Sequence, residues 1–257
     1  MVMMHGLGGS TNAFQSLISH FAPKYTILRF DFPGSGLSKF NPTKLISVPF
    51  FVTVLESILA ARCSYEPSIL IGHSLGSIIA MHYAVLHPDD VRALVLLGPG
   101  RAMSHIPAAV VRMMDLATKA RGGIEDIRDS TVANNVAAGS PELAKTVVRQ
   151  MISAQSPDGY AATCEALCAP SHVDPDYSAI GCPVVLFAGD QDLISPISRS
   201  QEIKELIEAS SLARRRRDNV KLNIVHSGHQ QVLEDTAGVV DAMEGFLSGL
   251  LDMEKKL

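Results

Sequence analysis

Short, nearly unbroken apolar runs recur along the chain, and most are separated by stretches long enough for a helix. Met1–Met4, Tyr25–Phe30, Ile69–Ile71, Ala93–Leu97, Val184–Ala188 and Leu222–Val225 have strand length. Each gives way to Gly, Pro, Asp or His at its carboxyl end. Between them, Phe51–Ala61 and Ser77–Leu86 read as helices, the second stopping at His87-Pro88 because proline cannot continue it. Strands alternating with helices predict a mostly parallel sheet flanked by helices on both faces. In such a sheet ligands bind beyond the carboxyl ends of the strands.

One interval breaks the rhythm. The 86 positions from 98 to 183 are far too many for a single crossover. Their pattern predicts four helices: Ala108–Arg121, Ile124–Ala137, Pro141–Ala154 and Pro157–Cys168. Ser140-Pro141-Glu142 and Ser156-Pro157-Asp158 each offer Ser as N-cap, Pro at the first helical position and an acid in the first turn. A helical insertion at the strand ends is expected to be a cap, which excludes water and shapes a pocket. The expected organisation is a core of residues 1–99 and 179–257 with a cap of residues 100–178.

The chemistry sits at the strand ends. Gly72-His73-Ser74-Leu75-Gly76 follows an apolar run and precedes a helix. This G-x-S-x-G turn is so tight that its central residue is strained, and a Cβ at either glycine would strike the adjoining strand or helix. The turn presents the Ser74 hydroxyl at the sheet edge and leaves the Leu75 N–H at a helix N-terminus, where an oxyanion is stabilised. A serine needs a near-neutral base, and the imidazolium then formed needs a carboxylate on its other nitrogen. Candidates are Asp190 and Asp192 after the fifth run, and His226 and His229 after the sixth.

Further signatures are His5-Gly6-Leu7-Gly8-Gly9-Ser10 after the first run and Asp31-Phe32-Pro33-Gly34-Ser35-Gly36 after the second. In the order glycine loop, D-x-P-G-x-G turn, Ser, Asp, His, these motifs resemble the α/β-hydrolase family over nearly the whole chain. The resemblance implies Ser74 as nucleophile, His229 as base and Asp192 as orienting acid. Gly189, Asp192 and Pro196 fit the family's G-x-x-D-x-x-x-P, and Gly228, His229 and Glu234 fit its G-H-x-x-x-x-E. The N–H groups of Leu7 and Leu75 would form the oxyanion hole, with His5 bracing the loop; His73 is expected to be packed and hydrogen-bonded away from the pocket. No metal or organic cofactor is implied. A serine nucleophile disfavours the dehalogenase and epoxide-hydrolase branches, which attack with aspartate, and leaves acyl transfer to water from a small carboxylic ester or lactone. Some proteins of this fold instead serve as small-molecule receptors with slow or single turnover.

Ser156–Leu167 followed by Ile180-Gly181-Cys182-Pro183 is similar to the corresponding stretch of 3-oxoadipate enol-lactonases. That resemblance implies a substrate bearing a free carboxylate, hence a cation facing the pocket. Arg101 is the nearest candidate, then Arg112 and Arg121, with Met103 and Met151 among the methionines that would line an apolar wall.

Composition bounds the reading without changing it. The chain has 257 residues and is 47% hydrophobic, enough for one sizeable core. A net charge of −4 argues against nucleic-acid partners, and Arg214–Arg217 reads as a solvated loop because no second basic cluster supports it. No run approaches the roughly 18 apolar residues of a membrane span, and no signal peptide is evident. Cys63, Cys164, Cys168 and Cys182 read as buried thiols of a reducing compartment, hence a cytoplasmic expectation. Family members usually carry one or two strands before the first one here, so the sheet is expected to be trimmed at one edge or the sequence to lack its start.

Overall fold

The computed structural model describes residues 1–61, 66–209 and 220–254. Cys63 and Arg214–Arg217 lie outside the described residues. Among the described residues six strands form one sheet: β1 Val2–Met4, β2 Leu28–Phe30, β3 Ser68–His73, β4 Val91–Leu97, β5 Val184–Gly189 and β6 Val220–Val225. Their order is β2-β1-β3-β4-β5-β6, and every pairing is parallel. The central strands are buried along their length. Leu70, Ile71, Leu94, Val95, Leu96, Leu186 and Phe187 have no measurable exposure, as expected of a sheet covered on both faces.

Among the described residues the α-helices outside the insertion are α1 Gln15–Phe21, α2 Val48–Ala60, α3 Leu75–Leu86, α8 Ile197–Glu208, a single turn at Gln231–Glu234 and a long C-terminal helix from Thr236 to Glu254. Helix α2 starts three residues before its apolar run because Ser47 caps it, its Oγ accepting from the Phe50 N–H at 3.1 Å. Strand β2 is shorter than the Tyr25–Phe30 run. Its partner β1 offers only three residues to pair with, and the Tyr25 N–H is already spent on the Phe21 carbonyl at the end of α1.

Between β4 and β5 stand the four expected helices: α4 Pro107–Gly122, α5 Glu125–Asn135, α6 Glu142–Ser153 and α7 Pro157–Cys168. Helix α4 packs along α7, and α5 along α6. Ser156 caps α7 as expected, accepting from the Gly159 N–H at 3.2 Å. Ser140 does not cap α6. Pro141 takes the N-cap position, and the Ser140 hydroxyl donates instead to Glu234 at 2.5 Å. The insertion meets the core closely: a Cβ at Gly159 would lie 2.7 Å from the Gly34 Cα. Among the described residues no helix is long and apolar enough to cross a membrane. Cys164 and Cys168 are buried and form no disulfide.

Candidate active site

Ser74 joins β3 to α3 at φ 52°, ψ −112°, and among the described residues it is the one non-glycine residue with positive φ. A side chain in that region costs on the order of 1–3 kcal/mol and persists only where its surroundings enforce it. The enforcement is visible. A Cβ on Gly72 would enter the Gly76 and Ser77 backbone, and one on Gly76 would strike the Met4 carbonyl of β1. The Ser74 N–H is anchored to the Leu97 carbonyl of β4 at 2.9 Å, and the Ser77 hydroxyl to the Gly72 carbonyl at 2.6 Å. Ser74 is thereby left part-exposed between buried His73 and Leu75. The helix begins at Leu75, two residues earlier than the apolar pattern marks, so the Leu75 N–H heads α3 with no carbonyl one turn behind it.

The glycine loop after β1 lies directly against this turn: a Cβ at Gly6 would stand 2.9 Å from the Ser74 Cβ. His5 holds the loop. Its Nδ1–H donates to the Gly6 carbonyl at 2.8 Å, and its Nε2 accepts the Phe32 N–H at 3.0 Å. These two partners fix a neutral ring, and burial pushes its pKa down. Leu7, the next residue after the glycine that touches Ser74, is part-exposed.

The ends of β5 and β6 carry two His–Asp pairs of opposite character. His229 and Asp192 are joined at 2.8 Å between Nδ1 and Oδ2, with side-chain exposures of 4% and 0%. His226 and Asp190 are also joined at 2.8 Å, but the His226 side chain is 81% exposed. Asp192 accepts four hydrogen bonds. The Ile194 and Ser195 N–H groups reach Oδ1 at 2.8 Å each, while His229 and the Gln231 amide, at 3.3 Å, reach Oδ2. Burial raises its pKa, but the His229 ring and the two backbone donors outweigh burial and hold the carboxyl below its usual range. An ionised Asp192 on Nδ1 fixes the tautomer of His229 and leaves Nε2 as a free lone pair. Among the described residues Ser74 Oγ makes no hydrogen bond; such bonds commonly tighten only when substrate is bound.

His73 packs beneath His229, with ring centroids 4.8 Å apart, and its Nε2–H donates to the His229 carbonyl at 2.7 Å. Burial first, then the neighbouring His229 ring, push its pKa down to about 3. It is packed and hydrogen-bonded, as expected.

Arg101 is placed differently from its expectation. Its Nε and Nη2 donate to Asp174 Oδ2 at 2.9 and 2.6 Å, and its Nη1 meets Glu202 at 2.5 Å. Asp174 also accepts the Ala102 N–H and the Tyr177 hydroxyl. With two carboxylates on one guanidinium the local charge is negative, so Arg101 is not a free receptor for a substrate carboxylate. It ties the start of the insertion to its return and to α8. Arg121 is paired with Glu165, and Arg112 is exposed. Met151 is buried in the main core, with Met103 packed against it.

Two supports of the site were not legible in sequence. Gln231 reaches Asp192 across the sheet end, and the carbonyl of Asn135 in the insertion accepts the His229 N–H at 2.8 Å. A polar residue two positions after the histidine was the only trace of the first; the second is a backbone contact with no sequence signal.

A family model described as "alpha/beta hydrolase fold" matches residues 1–236. The pimeloyl-[acyl-carrier protein] methyl ester esterase of Chromobacterium violaceum is 26% identical over 222 residues, covering 80% of this chain and 80% of that protein. The 3-oxoadipate enol-lactonase 2 of Acinetobacter baylyi is 23% identical over 216 residues, covering 82% and 78%. Among solved structures, a thermophilic esterase from Thermogutta terrifontis superposes with a TM-score of 0.84 at 20% identity, covering 97% of this chain and 89% of that one. An enol-lactonase from Burkholderia xenovorans superposes with 0.81 at 19% identity, covering 96% and 90%. At these identities the structural likeness speaks for the fold.

Proposed function

Because the chain belongs to the α/β-hydrolase fold family, we propose that it is a serine hydrolase of small carboxylic esters or lactones working through Ser74, His229 and Asp192. The observation that carries this reading is the buried His229–Asp192 pair at the ends of β6 and β5, with a serine held in a strained turn at the end of β3 whose neighbour His73 packs on His229. His229 Nε2 takes the Ser74 proton as Oγ attacks the ester carbonyl. Asp192 stabilises the imidazolium and keeps it oriented. The N–H groups of Leu75 and Leu7 receive the oxyanion. The imidazolium then protonates the leaving alkoxide, which departs as an alcohol and leaves an acyl-Ser74. Water, deprotonated by the same histidine, attacks the acyl group, releases the acid and restores the serine.

The insertion serves as the cap that selects the acyl and leaving groups. The proposed substrate is uncharged near the reacting carbonyl, because Arg101, the cation at the start of the insertion, is held by two acids. Burying an unpaired carboxylate there would carry a large desolvation cost. Neutral esters and lactones are therefore the proposed substrates, within the ester and lactone chemistry that the relatives' names carry.

The test is a hydrolysis panel pairing short neutral aryl esters and lactones with carboxylated counterparts. Many turnovers of neutral substrates, lost in Ser74→Ala, are expected. A preference for the carboxylated members would overturn the substrate assignment. Release of about one equivalent and then arrest would favour a receptor.

A further inference from the structure

Glu234 stands five residues after His229, at the end of a single helical turn, and its carboxylate gathers four donors from two parts of the molecule. Oε2 accepts the Gly228 N–H at 2.9 Å, the Ala137 N–H at 2.8 Å and the Ser140 hydroxyl at 2.5 Å; Oε1 accepts the Gln230 N–H at 2.9 Å. Gly228 and Gln230 flank His229. Ala137 and Ser140 belong to the link between α5 and α6 in the insertion. The N–H of His229 itself is taken by Asn135, at the end of α5. All three consecutive amides of the base loop are thus held by one carboxylate or by the insertion directly. The two backbones are in contact as well. A Cβ at Gly228 would stand 2.7 Å from the Ala137 nitrogen and 2.9 Å from the Asn135 oxygen. This also explains why Ser140 leaves α6 uncapped: its hydroxyl is used here.

We propose that Glu234 is a positioning residue that couples the cap to the catalytic histidine, so that the 135–140 link and the 228–230 loop are held as one unit and His229 is aligned only while the link is docked. Glu234 touches no reacting atom and acts through the loop that carries His229. The proposal rests on His229 being the base. Charge-assisted hydrogen bonds are roughly twice as strong as neutral ones, so one carboxylate shared among four donors makes release of the cap side and the loop side a joint event.

The experiment compares the full-length protein with Glu234→Ala and Glu234→Gln by amide hydrogen exchange and by hydrolysis of p-nitrophenyl acetate. In Glu234→Ala the amides of Gly228, Gln230 and Ala137 are expected to exchange faster together. Its kcat is expected to fall by about 10- to 100-fold with KM changed less than about threefold, since misplacement of a catalytic group by about 1 Å costs on that order. Glu234→Gln, which keeps one acceptor oxygen, should restore part of both. Should the alanine variant not fold, the glutamine variant carries the same comparison at smaller amplitude. Acceleration confined to the loop or to the link, or unchanged kcat with all three amides released, would overturn the coupling. A wild type without Ser74-dependent turnover would refute the hydrolase reading, and the joint or separate release of the three amides would still decide the coupling.

Discussion

Replacing His73 by glutamine converts the burial of this histidine in the G-x-S-x-G turn into a measurable dependence of stability on pH. Glutamine can keep the donor that His73 gives to the His229 carbonyl but cannot titrate. In the folded protein His73 stays neutral down to about pH 3, against 6.5 for an ordinary histidine. Below the ordinary value the unfolded chain takes up a proton that the folded one refuses, so acid favours unfolding. The contribution is fully present above about pH 6.5 and is lost as pH falls toward about 3, at about 1.4 kcal/mol per pH unit. Between about pH 7.5 and about pH 5 this one group should cost the wild type about 2 kcal/mol. Asp192, whose folded pKa is depressed, does not enter that window, because its contribution is lost only as pH falls below the ordinary carboxylate range. His5 and His172 are also buried with lowered pKa values. They steepen the loss in both proteins and cancel in the comparison. Urea unfolding of wild type and His73→Gln at the two pH values gives the double difference. A value of about 2 kcal/mol, the variant being less acid-labile, is expected; parallel pH dependence would refute the reasoning.

Two further perturbations separate the acids and the arginine. Asp192→Asn should lower kcat by on the order of 10⁴, as expected when the base loses its orienting carboxylate, whereas Asp190→Asn and His226→Ala should stay within about threefold of wild type in kcat/KM, because their pair stands in solvent; steady-state hydrolysis of one neutral ester by the three variants checks both. Arg101→Met should destabilise the fold by about 1–2 kcal/mol in urea, less than a buried charged hydrogen bond because the pair is part-exposed. It should also raise KM equally for neutral and carboxylated substrates, and a selective loss of the carboxylated one would return Arg101 to the binding site.

What was readable in the sequence is what local geometry dictates. Gly72 and Gly76 announce the serine-bearing turn because it admits no other residue at these positions, and the six strand ends follow from apolar runs meeting Gly, Pro, Asp or His. Pro157 and Ser156 mark the start of α7 to the residue, since a proline at the first turn and a serine cap act within three positions. What was not readable depends on partners distant in the chain. Arg101 looks like an unpaired cation until Asp174 and Glu202 are folded against it. Ser140 has the sequence of a helix cap, yet its hydroxyl finds a better acceptor in Glu234, 94 residues on. Strand β2 is cut short by the length of β1 rather than by its own residues. The assignment of His229 over His226 came from resemblance to a family pattern; the geometry adds that one histidine is buried on its carboxylate and the other stands in water.

The most direct test of the central claim is the site of covalent capture. Wild-type protein treated with a fluorophosphonate should gain one adduct by intact mass, and peptide mapping should place it on Ser74. Labelling should be nearly abolished in His229→Ala and absent in Ser74→Ala. An adduct on any other serine, or unchanged labelling without His229, would contradict the account.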